Sequence, residues 1–382
     1  MTFLPCNPCT HARSAARSAL VSLLLILCPG FAFGQATKHL IEFGWDEPDT
    51  AFMLKHVAEM EQAPFDGAVF RLTFDKPDGT RAPFGNECWS DREFKADELK
   101  KSADELNRTP FRKFTQNFLR FNVLPGNVDW FDDFDAVMTN AFLAGRIARD
   151  GKCRGILFDI EQYNKPLWTY RKQKYSATRS WEEYAKQARD RGRLLMGSFQ
   201  DGFGDNVVVF LTFGFSLPFA ETGGDPSKLA DVKYGLLHPF IEGMLDVARP
   251  GAKIVDGYEL SYQYRDPKEF ADARQQFDEK LPALVSDPAK YRKSMSLSFG
   301  LWMDYDWRKK GWDTTDVAKN YFTPELFENS VRCALKQTDE FVWVYTEKPR
   351  WWSESGRVDL PDAYMRAIER ARTADATQPS RQ

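Results

Sequence analysis

The chain has 382 residues, and its 52 Lys and Arg against 55 Asp and Glu leave a formal net charge of −3. This near-balance argues against a nucleic-acid-binding protein, which normally carries a basic excess, and a hydrophobic content of 43% excludes a disordered chain. Only four histidines occur, and zinc-protease, phosphate-loop and serine-elbow motifs are absent from the sequence. We therefore expect carboxylate chemistry, with no cofactor and no metal.

Residues 1–34 are predicted to be a secretory signal peptide. Basic residues precede the apolar stretch 19–28, and small residues at positions 32 and 34 supply a cleavage site before Gln35. The stretch is too short to span a bilayer comfortably, and the large Leu27 before Cys28 disfavours lipoprotein processing. We expect a secreted or periplasmic protein that makes no membrane contact after cleavage; an uncleaved anchor is the alternative.

Eight strand-like segments alternate with helix-like segments after the leader. The predicted strands are Leu40–Gly44, Gly67–Leu72, Asn117–Val123, Gly155–Glu161, Val207–Phe213, Lys253–Glu259, Met295–Met303 and Phe341–Glu347. The predicted helices are Thr50–Glu61, Lys95–Leu106, Phe134–Arg149, Trp181–Phe199, Leu229–Val247, Pro267–Phe277, Pro324–Lys336 and Pro361–Arg370. This alternation predicts parallel strands joined by crossover helices.

Eight units indicate an α/β fold of the (β/α)8 TIM-barrel type, as a single domain over residues 35–373 with extended loops after the strands. The segments 75–94 and 164–180 are the main insertions, and residues 374–382 are predicted to be a disordered tail. A doubly wound open sheet is the alternative. That fold normally has a glycine-rich turn after its first strand, where this chain has Trp45-Asp46-Glu47-Pro48.

The alternation of side chains along each strand predicts which residues enter the barrel, because the outward face must be apolar to meet the helices. The predicted inward polar and aromatic residues are Glu42 and Asp46 on the first strand, Arg71 on the second, Arg120 and Asn122 on the third, Asp159 and Glu161 on the fourth, Thr212 on the fifth, Trp302 and Asp304 on the seventh, and Trp343, Tyr345 and Glu347 on the eighth.

The sixth strand is ambiguous. If Glu259 points inward, Asp256 points toward the helices, unless a bulge at Gly257 reverses the alternation.

Acids that face one another across a barrel mouth suit glycoside hydrolysis, in which one carboxyl group protonates the leaving oxygen while another attacks or activates water. The catalytic candidates are Glu161, Asp159, Glu347 and Glu259. The substrate-binding candidates, which include aromatic rings able to stack on sugars, are Asp46, Arg71, Arg120, Asn122, Trp302, Asp304, Trp343, Tyr345, Trp351 and Trp352.

The fourth strand resembles the end of the chitinase-type (family 18) signature D-G-x-D-x-D-x-E. Gly155, Asp159 and Glu161 match this pattern, whereas Arg154 and Leu157 stand where the family has its two earlier acids. The resemblance implies that Glu161 is the catalytic acid and Asp159 its helper, and the family's tryptophan on strand eight would correspond to Trp343. Because the match is local, we assign only the wider superfamily of (β/α)8-barrel glycoside hydrolases.

Two hypotheses remain open from the sequence. The chain is a secreted glycoside hydrolase, or it is a non-catalytic barrel that binds carbohydrate or a protein and retains its acids as remnants. The basic stretch around Lys165, Arg171, Lys172, Lys174 and Arg179 is either a solvated loop or a subsite for anionic sugars. A carboxyl pair in an open cleft favours catalysis, and an arginine-capped Glu161 in a dry core favours binding.

Overall fold

The computed structural model describes residues 37–375, so the predicted signal peptide and the predicted tail beyond residue 375 lie outside the described residues. The strands of the barrel occur at the eight places predicted along the chain, and the seventh consists of two short segments. Their bounds are His39–Glu42, Gly67–Phe70, Phe118–Asn122, Gly155–Asp159, Val208–Leu211, Lys253–Asp256, Met295–Leu297 with Phe299–Trp302, and Phe341–Tyr345. We refer to them as strands one to eight.

The strands form one parallel ring. Each strand pairs with its neighbour in the sequence of strands, and strand eight pairs with strand one. Strand seven closes the ring although it is interrupted at Ser298, because Met295–Leu297 pairs with strand six and Phe299–Trp302 pairs with strand eight. The predicted (β/α)8 barrel is confirmed.

Apolar side chains fill both faces of the ring. The outward faces pack against the helices in one large core, and a second cluster fills the barrel interior with Ile41, Phe43, Val69, Phe118, Leu157, Val208, Phe210, Val255, Phe341 and Trp343. The lower barrel is therefore a packed plug. Polar groups that enter the interior lie above it, where the strands end.

The facing of strand one differs from the prediction. Ile41 and Phe43 belong to the interior cluster and Leu40 to the outer core, so Glu42 faces the helical layer rather than the barrel axis. The prediction was wrong because it assumed that a charged side chain avoids the helix-facing side. Glu42 is fully buried there, and burial followed by repulsion from Asp46 raises its pKa well above the ordinary range.

The helices surround the ring. Their bounds are Thr50–Met60 (α1), Ala96–Arg108 (α2), Asp135–Asp150 (α3), Trp181–Phe203 (α4), Ser216–Thr222 (α5), Leu237–Val247 (α6), Pro267–Gln275 (α7), Pro288–Ser294 (α8), Trp307–Lys310 (α9), Pro324–Gln337 (α10) and Asp362–Asp375 (α11). Among residues 37–375, none of the helices combines the length and the apolar character needed to cross a membrane.

Capping side chains begin several of these helices. Asp49 accepts a hydrogen bond from the Phe52 amide at the start of α1, and Thr323 accepts one from the Leu326 amide at the start of α10. The predicted helix Leu229–Val247 is shorter than expected, because Leu237 begins α6 and a separate 3-10 turn, Pro226–Asp231, precedes it.

The predicted insertions lie at the barrel mouth, after strands two and four. The first contains a small hairpin in which Thr73–Asp75 pairs antiparallel with Arg81–Pro83. The second contains a single 3-10 turn, Tyr170–Lys172.

Candidate active site at the barrel mouth

Strand four delivers two acids to the mouth. Asp159 is its last residue and is buried, and its carboxylate accepts hydrogen bonds from the Glu161 amide at 3.2 Å and from the Tyr163 hydroxyl at 3.4 Å. Glu161 follows two residues later and is half-buried. Because the strand has ended, Glu161 lies on a loop that Asp159 ties down through its backbone.

Strand six delivers the third acid by a sharp change of backbone direction. The Gly257 amide still bonds to the Leu211 carbonyl at 2.9 Å, so the strand pairing continues through this residue. Tyr258 then adopts a left-handed conformation with φ of 47°, and Glu259 begins a 3-10 turn. The bulge at Gly257 that would have reconciled the two acids is not needed, because this reversal at Tyr258 brings Glu259 within electrostatic reach of Glu161 and Asp159.

Asp256 takes the outward position that the alternation left open. Its carboxylate accepts hydrogen bonds from the Gly214 amide, the Tyr258 amide and both the amide and hydroxyl of Ser216. These donors bind the loop after strand five to strand six. Asp256 is thus a structural anchor of the loop that carries Glu259.

We name Asp159, Glu161 and Glu259 the acid cluster. Burial raises the pKa of Glu259 well above its ordinary range, the charge of Glu161 raises it further, and a hydrogen bond from Tyr262 opposes the rise. Burial likewise raises the pKa of Asp159 to about 6, against the opposing charge of Arg120 and with added repulsion from Glu161. The acid cluster therefore retains a proton near neutral pH.

The predicted arginines of the mouth bind a different acid. Arg71 and Arg120 each place a guanidinium nitrogen near Oε2 of Glu47, at 3.4 Å and 3.3 Å. Glu161 forms no ion pair with any described residue. The arrangement is therefore not the arginine-capped dry core that would have favoured a purely structural role for Glu161.

Glu347 and Asp304, both predicted site residues, form a pair that is rich in donors. Glu347 is only 4% exposed and accepts hydrogen bonds from the Trp307 indole and the Tyr345 hydroxyl. One guanidinium nitrogen of Arg308 also lies 2.7 Å from each of its carboxylate oxygens. Asp304 accepts from the Trp302 indole and from the amides of Glu347 and Lys348.

These contacts occupy the lone pairs that acid–base chemistry would need. Glu347 remains a predicted catalytic residue, but its surroundings are those of a structural carboxylate.

The aromatic residues divide into two groups. Trp302, Tyr345 and Tyr262 are half-buried at the mouth, and the rings of Tyr262 and Tyr345 stack at 5.3 Å. Trp343 is fully buried below them and donates its indole N–H to the Gly257 carbonyl at 2.8 Å. Gly300 makes room for this indole, since a Cβ there would lie 2.6 Å from the Trp343 ring.

Trp351, Trp352 and Asp46 are not at the barrel axis, which corrects the expectation that they contact a sugar there. The Trp351 amide donates to the Asp46 carboxylate, and the Trp352 indole donates to the Asp46 carbonyl. Both indoles belong to the outer core, at 3% and 5% exposure, where Trp351 packs edge-on against Phe65. Because strand one faces the other way, its acidic end serves as the anchor of this loop.

Asn122 ends strand three beneath the mouth. Its side-chain oxygen accepts from the Leu124 amide at 3.0 Å, while its side-chain nitrogen is buried without a hydrogen-bond partner in the structure. Because Asn122 is fully buried, its side chain lies beneath the mouth rather than on its surface.

Sequence reasoning did not assign Tyr163, Tyr262, Trp307 and Arg308 to the site, and it gave Glu47 no ion partner. Glu47 was detectable, because it directly follows the first strand. No pattern in the sequence marks Arg308, since its importance comes only from its contact with Glu347. In the described part of the chain, no group of three or more His, Cys, Asp and Glu side chains is placed to hold a metal ion.

No family model and no curated protein matches the sequence. The chain is similar to the solved structure of a chitinase from Bacteroides thetaiotaomicron, at 10% identity and a TM-score of 0.46, over 91% of this chain and 100% of that chain. It is also similar to the GH18 chitinase ChiB from the chitin utilization locus of Flavobacterium johnsoniae, at 10% identity and a TM-score of 0.37, over 89% and 95%.

A third similarity is to bee venom hyaluronidase in complex with a hyaluronic acid tetramer, at 11% identity and a TM-score of 0.21, over 81% of this chain and 90% of that chain. The fold is a (β/α)8 barrel, and this assignment rests on the strand order of the chain itself.

Proposed function

We propose that this chain is a glycoside hydrolase that cleaves O-glycosidic bonds with the acid cluster. One observation carries the proposal: at the mouth of the barrel, half-buried Glu161 adjoins buried Asp159 and half-buried Glu259, and its charge raises the pKa of both. Such a cluster supplies in one place a proton near neutral pH and a negative charge. These are the two elements that cleavage of an acetal requires.

The proposed reaction assigns each residue by its accessibility: Asp159 is buried, and Glu259 is half-buried with its Oε2 atom shielded from solvent. Glu161, which is half-buried, contacts the glycosidic oxygen and protonates it as the bond between that oxygen and the anomeric carbon breaks. Water then adds to the anomeric carbon and returns its proton to the cluster. Asp159 and Glu259 are positioning residues: Asp159 holds the Glu161 backbone through the 3.2 Å hydrogen bond from its amide, and the raised pKa of Asp159 and of Glu259 keeps a proton in the cluster.

The surrounding residues suit a sugar. Trp302, Tyr262 and Tyr345 present partly exposed rings at the mouth, and a sugar can pack its C–H face on such rings. Glu347, in this proposal, positions the Tyr345 hydroxyl through the 3.1 Å hydrogen bond that it accepts.

The test is turnover on a panel of β-linked and α-linked oligosaccharides that includes N-acetylhexosamine chains, neutral glucans and uronate chains. The wild type is expected to hydrolyse at least one class, Glu161→Gln to lose that activity, and Glu182→Gln, on the exposed start of α4, to retain it. Unchanged hydrolysis by Glu161→Gln would remove Glu161 from the mechanism. Binding of a glycan without any turnover would favour the alternative, a non-catalytic carbohydrate-binding barrel.

Export is part of the proposal, because a polysaccharide hydrolase meets its substrate outside the cytoplasm. The apolar stretch 19–28 and the cleavage site before Gln35 support it. Sequencing the amino terminus of the protein from the native host is expected to begin at Gln35. A mature chain that begins at Met1 would contradict it.

A further inference from the structure

A groove next to the acid cluster carries three exposed lysines. The groove has a volume of about 520 Å³ and is lined by Gln162 and Tyr163, the two residues that follow Glu161, and by Lys165, Lys172 and Lys233. It therefore begins where the candidate active site ends. A ligand that fills it would continue directly past Glu161.

The three lysines are not neutralised by the protein. None of them lies within 4.0 Å of a carboxylate among residues 37–375. The nearby acids are already paired, since Asp231 binds Arg171 at 2.6 Å and Asp132 binds Lys174 at 3.0 Å. The groove thus presents an excess of positive charge on a chain whose net charge is −3.

The backbone around these lysines is held in place. The Lys233 carbonyl accepts hydrogen bonds from the Gln162 amide group at 3.2 Å and from the Thr169 hydroxyl at 2.8 Å. Lys165 and Lys172 also line a second groove of about 350 Å³, to which Pro166 contributes as it does to the first. Two ammonium groups without a carboxylate partner are therefore shared by both grooves.

We propose that this groove binds the negatively charged sugars of an anionic glycan, so that the substrate of the acid cluster carries carboxylate or sulfate groups on the units next to the cleaved bond. The proposal rests on the proposed hydrolase function, whose substrate class it specifies. Ammonium groups attract such anions, and they also raise the rate of encounter with a charged polymer. The acid cluster alone would repel the polymer, so the lysines define the side from which it enters.

Binding tests the groove independently of hydrolysis. The dissociation constants of oligogalacturonate, a sulfated galactan oligosaccharide and a neutral chitin oligosaccharide of equal length are measured on Glu161→Gln protein, which holds its ligand intact. The triple variant Lys165→Gln, Lys172→Gln and Lys233→Gln is expected to bind an anionic chain on the order of tenfold more weakly at low salt. Neutral chains should bind equally to both.

A matched control removes the same charge elsewhere. The control is the triple variant Lys280→Gln, Lys293→Gln and Lys336→Gln, which changes the net charge by the same amount. These three lysines lie in segments that lead into strands seven and eight. This control is expected to leave the affinity for anionic chains unchanged. The loss in the groove variant should shrink as salt approaches about 0.5 M, where screening shortens the reach of the charges.

Each outcome separates the two proposals. Lysine-dependent binding of an anionic chain without turnover supports the groove and overturns the hydrolase. Hydrolysis that is indifferent to the groove variant, or an equal loss in the control variant, overturns the groove alone. Preference between the carboxylate-bearing and the sulfate-bearing chain identifies which anion the groove accepts.

Discussion

The two sides of the barrel mouth place buried carboxyl groups in opposite surroundings. Burial raises the pKa of Asp304 and of Asp159 alike, in each case to about 6. Asp304 and its neighbour Glu347 nevertheless accept hydrogen bonds from backbone amides, indoles and a guanidinium group, whereas Asp159 lies beside two further acids. A shifted pKa therefore does not mark a catalytic carboxyl group; what surrounds the group does.

The comparison predicts a separation of activity from stability. Glu161→Gln is expected to lower kcat on the identified glycan by about 10²- to 10⁴-fold, the usual contribution of a general acid, and to change the free energy of unfolding by less than about 0.5 kcal/mol because the side chain is half-buried. Steady-state kinetics and urea denaturation check both values. A Glu347→Gln variant that loses activity as completely as Glu161→Gln, at unchanged stability, would reverse the assignment of the two sides.

The tryptophans after strand eight offer the second contrast. Trp351→Ala removes an indole that is 97% buried and is expected to lower the free energy of unfolding by about 3–5 kcal/mol. Trp302→Ala, at the mouth, should cost less stability and weaken glycan binding more. Thermal denaturation with glycan titration distinguishes them, and weaker glycan binding by Trp351→Ala at wild-type stability would restore its predicted role as a sugar platform.

The pH dependence of stability probes Asp159 directly. Its pKa of about 6 in the folded protein lies above the value of about 4 for an unfolded aspartate. The folded state therefore holds this proton more tightly than the unfolded state. The bound proton stabilises the folded protein by about 2–3 kcal/mol below pH ~4, and this stabilisation is lost as pH rises through ~6.

Asp159→Asn has no such proton, so its stability relative to the wild type is expected to rise by that amount between pH 4 and pH 7. The Asn oxygen can still accept from the Glu161 amide. A stability difference between the two proteins that stays constant over this range would contradict the raised pKa.

The smallest expected effect concerns Arg308. Its side chain is 58% exposed although it binds buried Glu347, so solvent screens much of the interaction. Arg308→Gln should lower the free energy of unfolding by about 1 kcal/mol, measured by urea denaturation against Lys309→Gln as the neighbouring control. An equal loss in both variants would show that the contact with Glu347 is not the cause.

The barrel and most strand facings could be predicted because the outward faces are continuously apolar. Strand one could not, since Ile41 and Phe43 fit the interior as well as the outer core and Glu42 finds a buried place beside Asp46. Alternation also fails past a strand end: Tyr258 turns the backbone, and that turn rather than parity places Glu259.

Contacts between segments that are distant in the sequence could not be predicted from it. The pairing of Arg308 with Glu347 and the burial of Trp351 against Phe65 depend on how loops fold over the mouth. A tryptophan in a loop after a strand has the same sequence signature whether its ring is exposed or packed. The mouth position of Glu161 was predictable because it follows a regular strand by two residues.

The coupling within the acid cluster is tested most directly by a carbon-13 NMR titration of the Glu259 carboxyl group in wild type and in Glu161→Gln. If Glu161 repels a second negative charge at this site, the pKa of Glu259 will lie well above its ordinary range in the wild type and will fall in the variant. The same Glu259 pKa in both proteins would show that the two carboxyl groups do not interact, and this result would contradict the acid cluster on which the proposed hydrolysis rests.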